Sequence, residues 1–317
     1  MKAVVGNLEV LSLAILSGIV TLLPMVVLVA GGLLTALIPF PFTVLAVNYP
    51  WRYALGLSGL EGGVLLLGER PQLLFFLSQG GLVALVTAWA IRRGWSISRT
   101  IVGGLVVPLV IGALLLAVYS TLVHPLPQGL LTRYFDRAVS LSQQYVQTLE
   151  QMQEGEHEQL ATLVEVLPQL LLAVLPALVV ISYLFMNVLN YVLVRRYCQR
   201  SQSPLHLDPD NLLCWHASDY LVWVFLASGA ALLIPLDAVS TIGLNVLLVT
   251  LAIYLLQGLA IALFWGQRLP LPLGVQWLVV GVVFLIAGLL CVVVCTVAGL
   301  FDLWVDFRRQ RRHSLLP

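Results

Sequence analysis

The sequence predicts an all-α, polytopic transmembrane helix bundle of about eight spans, with one extramembrane amphipathic helix between spans four and five. Three observations predict it. Of the 317 residues, 60% are hydrophobic and only 10% are charged, against about 25% charged in soluble domains. Several apolar runs exceed the ~20 residues that cross a ~30 Å hydrocarbon core. One stretch, from His124 to about Glu158, breaks that pattern and cannot sit in a bilayer. Too little polar sequence remains elsewhere for a sizeable aqueous domain. Irregular backbone facing lipid is excluded, so each span must be helical.

The first half, residues 1–123, holds four spans. Residues 10–36 make the first, with Pro24 inside and Gly31-Gly32 near its end. Pro39-Phe40-Pro41 predicts an extended connection. Residues 42–67 are a weaker run, broken by Asn48-Tyr49-Pro50 and Arg52 and carrying Glu61 among glycines. They read as a short span or as a re-entrant pair of half-helices. Residues 71–91 and 101–123 complete the half. The first apolar run has no cleavage site after a short hydrophobic region, so no removable signal peptide is expected. The second half, residues 161–317, opens with a long helix over 162–194, which Pro168 and Pro176 are expected to kink. A polar loop at 199–216 follows, then spans at about 218–236, 241–265 and 274–299, and a basic tail.

The insert, 124–160, begins with helix-stopping prolines at 125 and 127 and Gly129. Leu131, Phe135, Ala138, Ser142, Tyr145, Leu149 and Met152 then recur at spacings of four and three, which aligns them on one stripe. Arg133, Arg137, Gln143, Gln144, Gln147 and Glu150 take the opposite face. This predicts an amphipathic helix over 129–158. Its commoner use is packing on the protein's own membrane domain or on the lipid surface. The alternative is a coiled-coil seam for a protein partner or a second copy, for which Ala138 and Ser142 are weak seam residues.

The net charge of +1 implies no nucleic-acid partner. Orientation is contested. With eight spans both termini share a side, and the loops holding Arg92, Arg93 and Arg99, and Arg195, Arg196 and Arg200, share the other. The positive-inside rule asks for both loops to be cytoplasmic, yet Lys2 and Arg308, Arg309, Arg311 and Arg312 of the tail ask the same for the termini. Cys198 and Cys214 flank the 199–216 loop. A disulfide between them is expected only if that loop faces an oxidising compartment.

Polar groups inside the bilayer are costly and point to function by default. Glu61 is the first candidate, because Gly62-Gly63 beside it admit a substrate or another helix. Its ordinary alternative is an interfacial position in a short span. Asn187 and Asn190, three apart on one helix face, are candidates to read a ligand, although gluing two helices is the commoner use of such residues. Gln257, beside Gly258, is a candidate for lining a cavity or for plain helix packing. Cys291 and Cys295 share a face but no His or carboxylate joins them, so apolar packing is the expected role. His216, Asp219 and Cys214 supply too few ligands for a metal site. No metal or cofactor is expected. No catalytic motif is present, which makes an enzyme the minority reading. In the tail, Asp302, Asp306 and Arg309 share a helical face, and Trp304 and Phe307 suit the membrane interface. This predicts that 300–309 prolongs the last helix and that Asp302 pairs with a basic residue.

Several short motifs carry a family resemblance. They are Leu167-Pro168 before a long apolar helix, the Asn187/Asn190 face running into Arg195-Arg196, Leu256-Gln257-Gly258-Leu259, and Gly299-Leu-Phe-Asp302-Leu-Trp304-Val-Asp306-Phe-Arg308. Together they resemble the YybS-like family of uncharacterised bacterial multi-pass membrane proteins. The first half joins through Pro24 and Pro39-Phe40-Pro41. The layout is also distantly similar to the substrate-binding S components of energy-coupling vitamin transporters. The resemblance implies a bacterial cytoplasmic (inner) membrane protein with cytoplasmic termini that binds a small molecule, although fold does not fix function. Two functions follow as expectations. One is transport or small-solute binding. The other is a scaffold or regulatory subunit that recruits a partner through 129–158.

Overall fold

The computed structural model describes residues 2–26, 35–65, 80–122, 157–201, 213, 215–266, 273–305 and 307–308. Among them the chain is helical, with no strand. The helices are α1 (Lys2–Val26), α2 (Pro39–Asn48), α3 (Trp51–Leu65), α4 (Val83–Arg92), α5 (Ile97–Leu122), α6 (His157–Arg200), α7 (Leu221–Ala231), α8 (Asp237–Gly266) and α9 (Leu273–Val305). Four segments are long and apolar enough to cross a membrane: Ile97–Leu115, Leu170–Arg200, Asp237–Gly266 and Gly288–Val305. Shorter apolar helices are Glu9–Thr21, Pro39–Asn48, Gly80–Arg92 and Leu221–Ala231. Large apolar side chains cover the outside. Leu114, Trp223, Leu233 and Leu289 are all exposed, an arrangement that water would penalise and lipid tails do not. The stripe Leu131, Phe135, Ala138, Tyr145, Leu149 and Met152 lies outside the described residues, as do Cys214 and Asp306.

Two local readings differ from the sequence expectation. Pro39-Phe40-Pro41 opens α2 instead of forming an extended connection. Proline is favoured in a first helical turn, where its missing N–H would have had no partner and its φ is preset. The Thr43 hydroxyl donates to the Pro39 carbonyl at 2.7 Å. The last span does not run as one piece over 274–299. Gly288 adopts φ 45°, ψ −117°, which a residue without Cβ tolerates, and the helix continues past it to Val305. A turn at Phe307-Arg308 follows.

The break at Asn48-Tyr49-Pro50 holds as read. Tyr49, preceding Pro50, is extended at φ −123°, ψ 164° and ends α2, as a residue before proline must. The run over 42–67 is therefore two helices, not one. At Ile91-Arg92-Arg93-Gly94-Trp95, Gly94 takes φ +66°. The Trp95 and Gly94 amides donate back to the Ala90 and Ile91 carbonyls at 3.0 Å, a glycine C-terminal cap that stops α4.

The chain forms two compact units. The first is Met1–Tyr134 with Ser182–Pro209, and the second is Phe135–Ile181 with Asp210–Pro317. The core of the first gathers Val20, Ile38, Phe42 and Ala84, with Leu37 and Leu57 against them. A further cluster joins Val83, Tyr183 and Met186 to Leu105 and Leu109. In the second, α8 packs closely against α7 and α9 at glycines. A Cβ on Gly243 would stand 2.8 Å from that of Ala231, and one on Gly258 or Gly299 would fall on the backbone of the facing helix.

Candidate functional site

Glu61 is buried in α3. The Ser17 hydroxyl donates to its Oε1, and the Thr21 hydroxyl donates to Oε2 at 2.8 Å. Ser17 and Thr21 are four apart, hence on one face of α1. Glu61 forms no salt bridge among the described residues. It lies ten residues after Trp51, about 15 Å along the helix. Gly62 beside it is buried, and nothing lies within 4 Å of a Cβ built on Gly63. Sequence reasoning selected Glu61 but missed its two partners. Hydroxyls at i and i+4 inside an otherwise apolar run were the available signal.

Asn187 and Asn190 are both fully buried on α6. The Asn187 amide donates to the Gly104 carbonyl at 2.8 Å and to the Tyr183 carbonyl at 3.0 Å, and its oxygen accepts from Thr87 at 3.5 Å. Gly104 has no side chain because one would fall on the Asn187 oxygen. The Asn190 amide donates to Thr43 Oγ1 at 3.0 Å, while its own oxygen has no partner. Each asparagine thereby ties α6 to another helix of its unit. Replacing Asn187 by Leu is expected to cost roughly 1–2 kcal/mol, since interhelical bonds in membranes reach about 1.7 kcal/mol. Asn190→Leu is expected to cost less, because half of that amide is already unpaired. Melting curves in detergent check the order.

A third cluster closes one end of the same unit. Glu9 accepts from the Tyr49 hydroxyl at 2.6 Å and from the Tyr197 hydroxyl. Burial, with the bond and charge of Glu9, pushes the Tyr49 phenol up to about 12, so it stays a donor at neutral pH. Arg92 donates to the Tyr49 carbonyl at 2.5 Å and lies 5.0 Å over the Trp51 ring. The beginning of α1, the Tyr49-Pro50 break, the 93–96 turn and the end of α6 therefore share one end. That overturns the eight-span parity, which set the N-terminus opposite the Arg92 and Arg195 loops. The break at Tyr49-Pro50 turns the chain back here, a reversal that a single 42–67 span would not contain.

In the second unit, Gln257, Asp302 and Arg308 form one buried node. The Gln257 amide donates to Asp302 Oδ2 at 2.9 Å, and its oxygen accepts from the Ala217 amide at 3.2 Å. Arg308 pairs with the same Oδ2 and donates to the Leu213 and Trp215 carbonyls at 2.7 and 2.9 Å. The Phe307 amide donates to Asp302 Oδ1 at 3.0 Å. His216 stands 4.0 Å from Oδ2. Arg308 Nε has no hydrogen-bond partner. Gly258 faces Cys295, and Trp304 points outward and is exposed. The glutamate cluster, the asparagine pair and this node have no side chain in common. Among the described residues no group of three or more His, Cys, Asp or Glu is placed to hold a metal ion.

Helices with apolar exteriors and polar groups turned inward define an integral membrane protein. The sequence pattern of one family, described as "Predicted membrane protein (DUF2232)", matches residues 12–303, and the chain belongs to that family. Searches of the curated proteins and of the solved structures found no match.

Proposed function

We propose that this is a multi-pass protein of the bacterial cytoplasmic membrane that binds and moves a small solute, with Glu61 as the group whose charge state changes in the cycle. The observation that carries the reading is a buried carboxyl, held by two neutral hydroxyls and by no cation among the described residues. A structural carboxylate buried in a membrane protein normally has a counter-ion, because an unpaired charge there is expensive. A carboxyl that gains and loses a proton or a cation needs donors that tolerate both states, and serine and threonine hydroxyls can donate or accept. The YybS-like resemblance and the similarity to vitamin-transporter S components accord with this reading. Asn187 and Asn190 enter it as supports of the first unit's helices, and Gln257 as a support of the second unit. Gly258, Asp302, Trp304, Asp306 and Arg308 belong to the family motifs, of which Asp302 and Arg308 pair in the second unit.

The test is a thermal-shift screen of purified protein in detergent against vitamin-like, nucleotide and inorganic-ion ligands, with and without Glu61→Gln. A ligand that stabilises the native protein, with a response to pH that Glu61→Gln abolishes, is the expected result. Ligand binding with an unchanged pH response would remove Glu61 from the cycle. The absence of stabilisation by any ligand would favour the alternative of a scaffold acting through 129–158.

A further inference from the structure

The closed end of the first unit carries arginines on α3, α4, α5 and α6. Arg52 follows the Tyr49-Pro50 break, Arg93 sits in the 93–96 turn, Arg99 starts α5, and Arg195, Arg196 and Arg200 end α6. Arg52, Arg93, Arg99 and Arg200 are exposed. Glu9 is the acid described at this end, and two tyrosine hydroxyls already occupy its oxygens. Aromatic rings lie among the cations. The Arg52 guanidinium is 5.2 Å over Tyr53, that of Arg93 is 5.3 Å over Trp89, and Trp89 meets Trp95 edge-on at 4.9 Å. A ring of Trp and Tyr with exposed cations marks the headgroup level of a membrane protein. The anionic leaflet attracts such basic clusters and holds them to one side.

We propose that this end lies at the cytoplasmic leaflet and binds anionic phospholipid headgroups through Arg52, Arg93 and Arg99. Within the first unit the placement removes the conflict in the charge pattern, since the start of α1 and both arginine-rich loops then obey the positive-inside rule together. It also puts Glu61 about 15 Å along α3 from that end. The inference uses the membrane fold and the charge pattern, and it holds whether or not the chain transports a solute.

Two measurements test it. In a variant with all four native cysteines replaced by serine or alanine, Ser96→Cys reports on the 93–96 turn and His124→Cys on the chain beyond α5. With a membrane-impermeant maleimide, Ser96→Cys is expected to label only after lysis and His124→Cys to label in intact cells. Labelling of Ser96→Cys in intact cells overturns the orientation. For the lipid, full-length protein is reconstituted in phosphatidylcholine vesicles with and without phosphatidylglycerol. A rise in melting temperature with phosphatidylglycerol is expected, to be lost at high salt and in Arg52→Gln/Arg93→Gln/Arg99→Gln. Melting that is indifferent to phosphatidylglycerol, or raised equally by inorganic phosphate alone, overturns the headgroup site.

Discussion

Asp302→Asn is expected to destabilise the second unit by about 3–5 kcal/mol, the range for breaking one partner of a buried ion pair. The side chains of Asp302 and Arg308 are 0% and 4% exposed. The carboxylate accepts from three donors in all: Gln257, the Phe307 amide and the Arg308 guanidinium. An Asn at 302 keeps one acceptor oxygen and turns a donor amide toward Arg308 and Gln257, which are donors themselves. The guanidinium is then left charged and buried against two carbonyls. An exposed pair would be worth only about 0.2–1 kcal/mol, so the size of the loss measures the burial. Arg308→Met is expected to be severe as well. The double variant should cost less than the sum of the two, because neither charge is then stranded. Chemical or thermal unfolding in detergent, followed through the four variants of this cycle, gives the answer. A loss under ~1 kcal/mol for Asp302→Asn would place the pair in contact with water.

Much of this node was legible in the sequence. Asp302 was read as pairing with a basic residue, and Arg308 and Gln257 were named in motifs that end and precede the same helix. What the spacing could not give was their meeting. Gln257 and Asp302 are 45 residues apart, and nothing local in either helix encodes the distance. The helical class and the membrane setting came from hydropathy, a property of every residue, and survived intact. The Tyr49-Pro50 break came from backbone chemistry that acts within one turn. Pro39 and Pro41 misled because the same residue favours an extended neighbour before it and a helical start after it, and only tertiary context selects between them. The Glu9, Tyr49 and Tyr197 cluster was not foreseen. Tyrosine and glutamate near span ends are too common to single out, and α6 brings Tyr197 to Glu9 across 188 residues.

The contact between α8 and α9 makes the other large prediction. Gly258→Ala and Gly299→Ala are each expected to cost about 3 kcal/mol, at or above the upper end for overpacking. A Cβ at 258 falls on the backbone carbonyl of Cys295, and one at 299 falls on that of Tyr254. Neither obstacle is the tip of a flexible side chain, so relief requires the two helices to separate. Residues 254 and 258, and 295 and 299, are each four apart, and the pairs interlock in opposite order, as antiparallel helices in backbone contact must. Small residues at that spacing permit such approach in membranes, where packing rather than hydrophobicity drives helix association. Gly243→Ala should cost less, because its Cβ meets the Ala231 side chain at 2.8 Å and the Ser228 carbonyl at 3.0 Å. Gly229 supplies the control. Nothing lies within 4 Å of a Cβ there, and alanine improves on glycine inside a helix by about 1 kcal/mol. Gly229→Ala should therefore melt at or above the native temperature. If all four substitutions shift melting alike, the effect is helix propensity rather than contact, and α8 and α9 do not touch through their backbones.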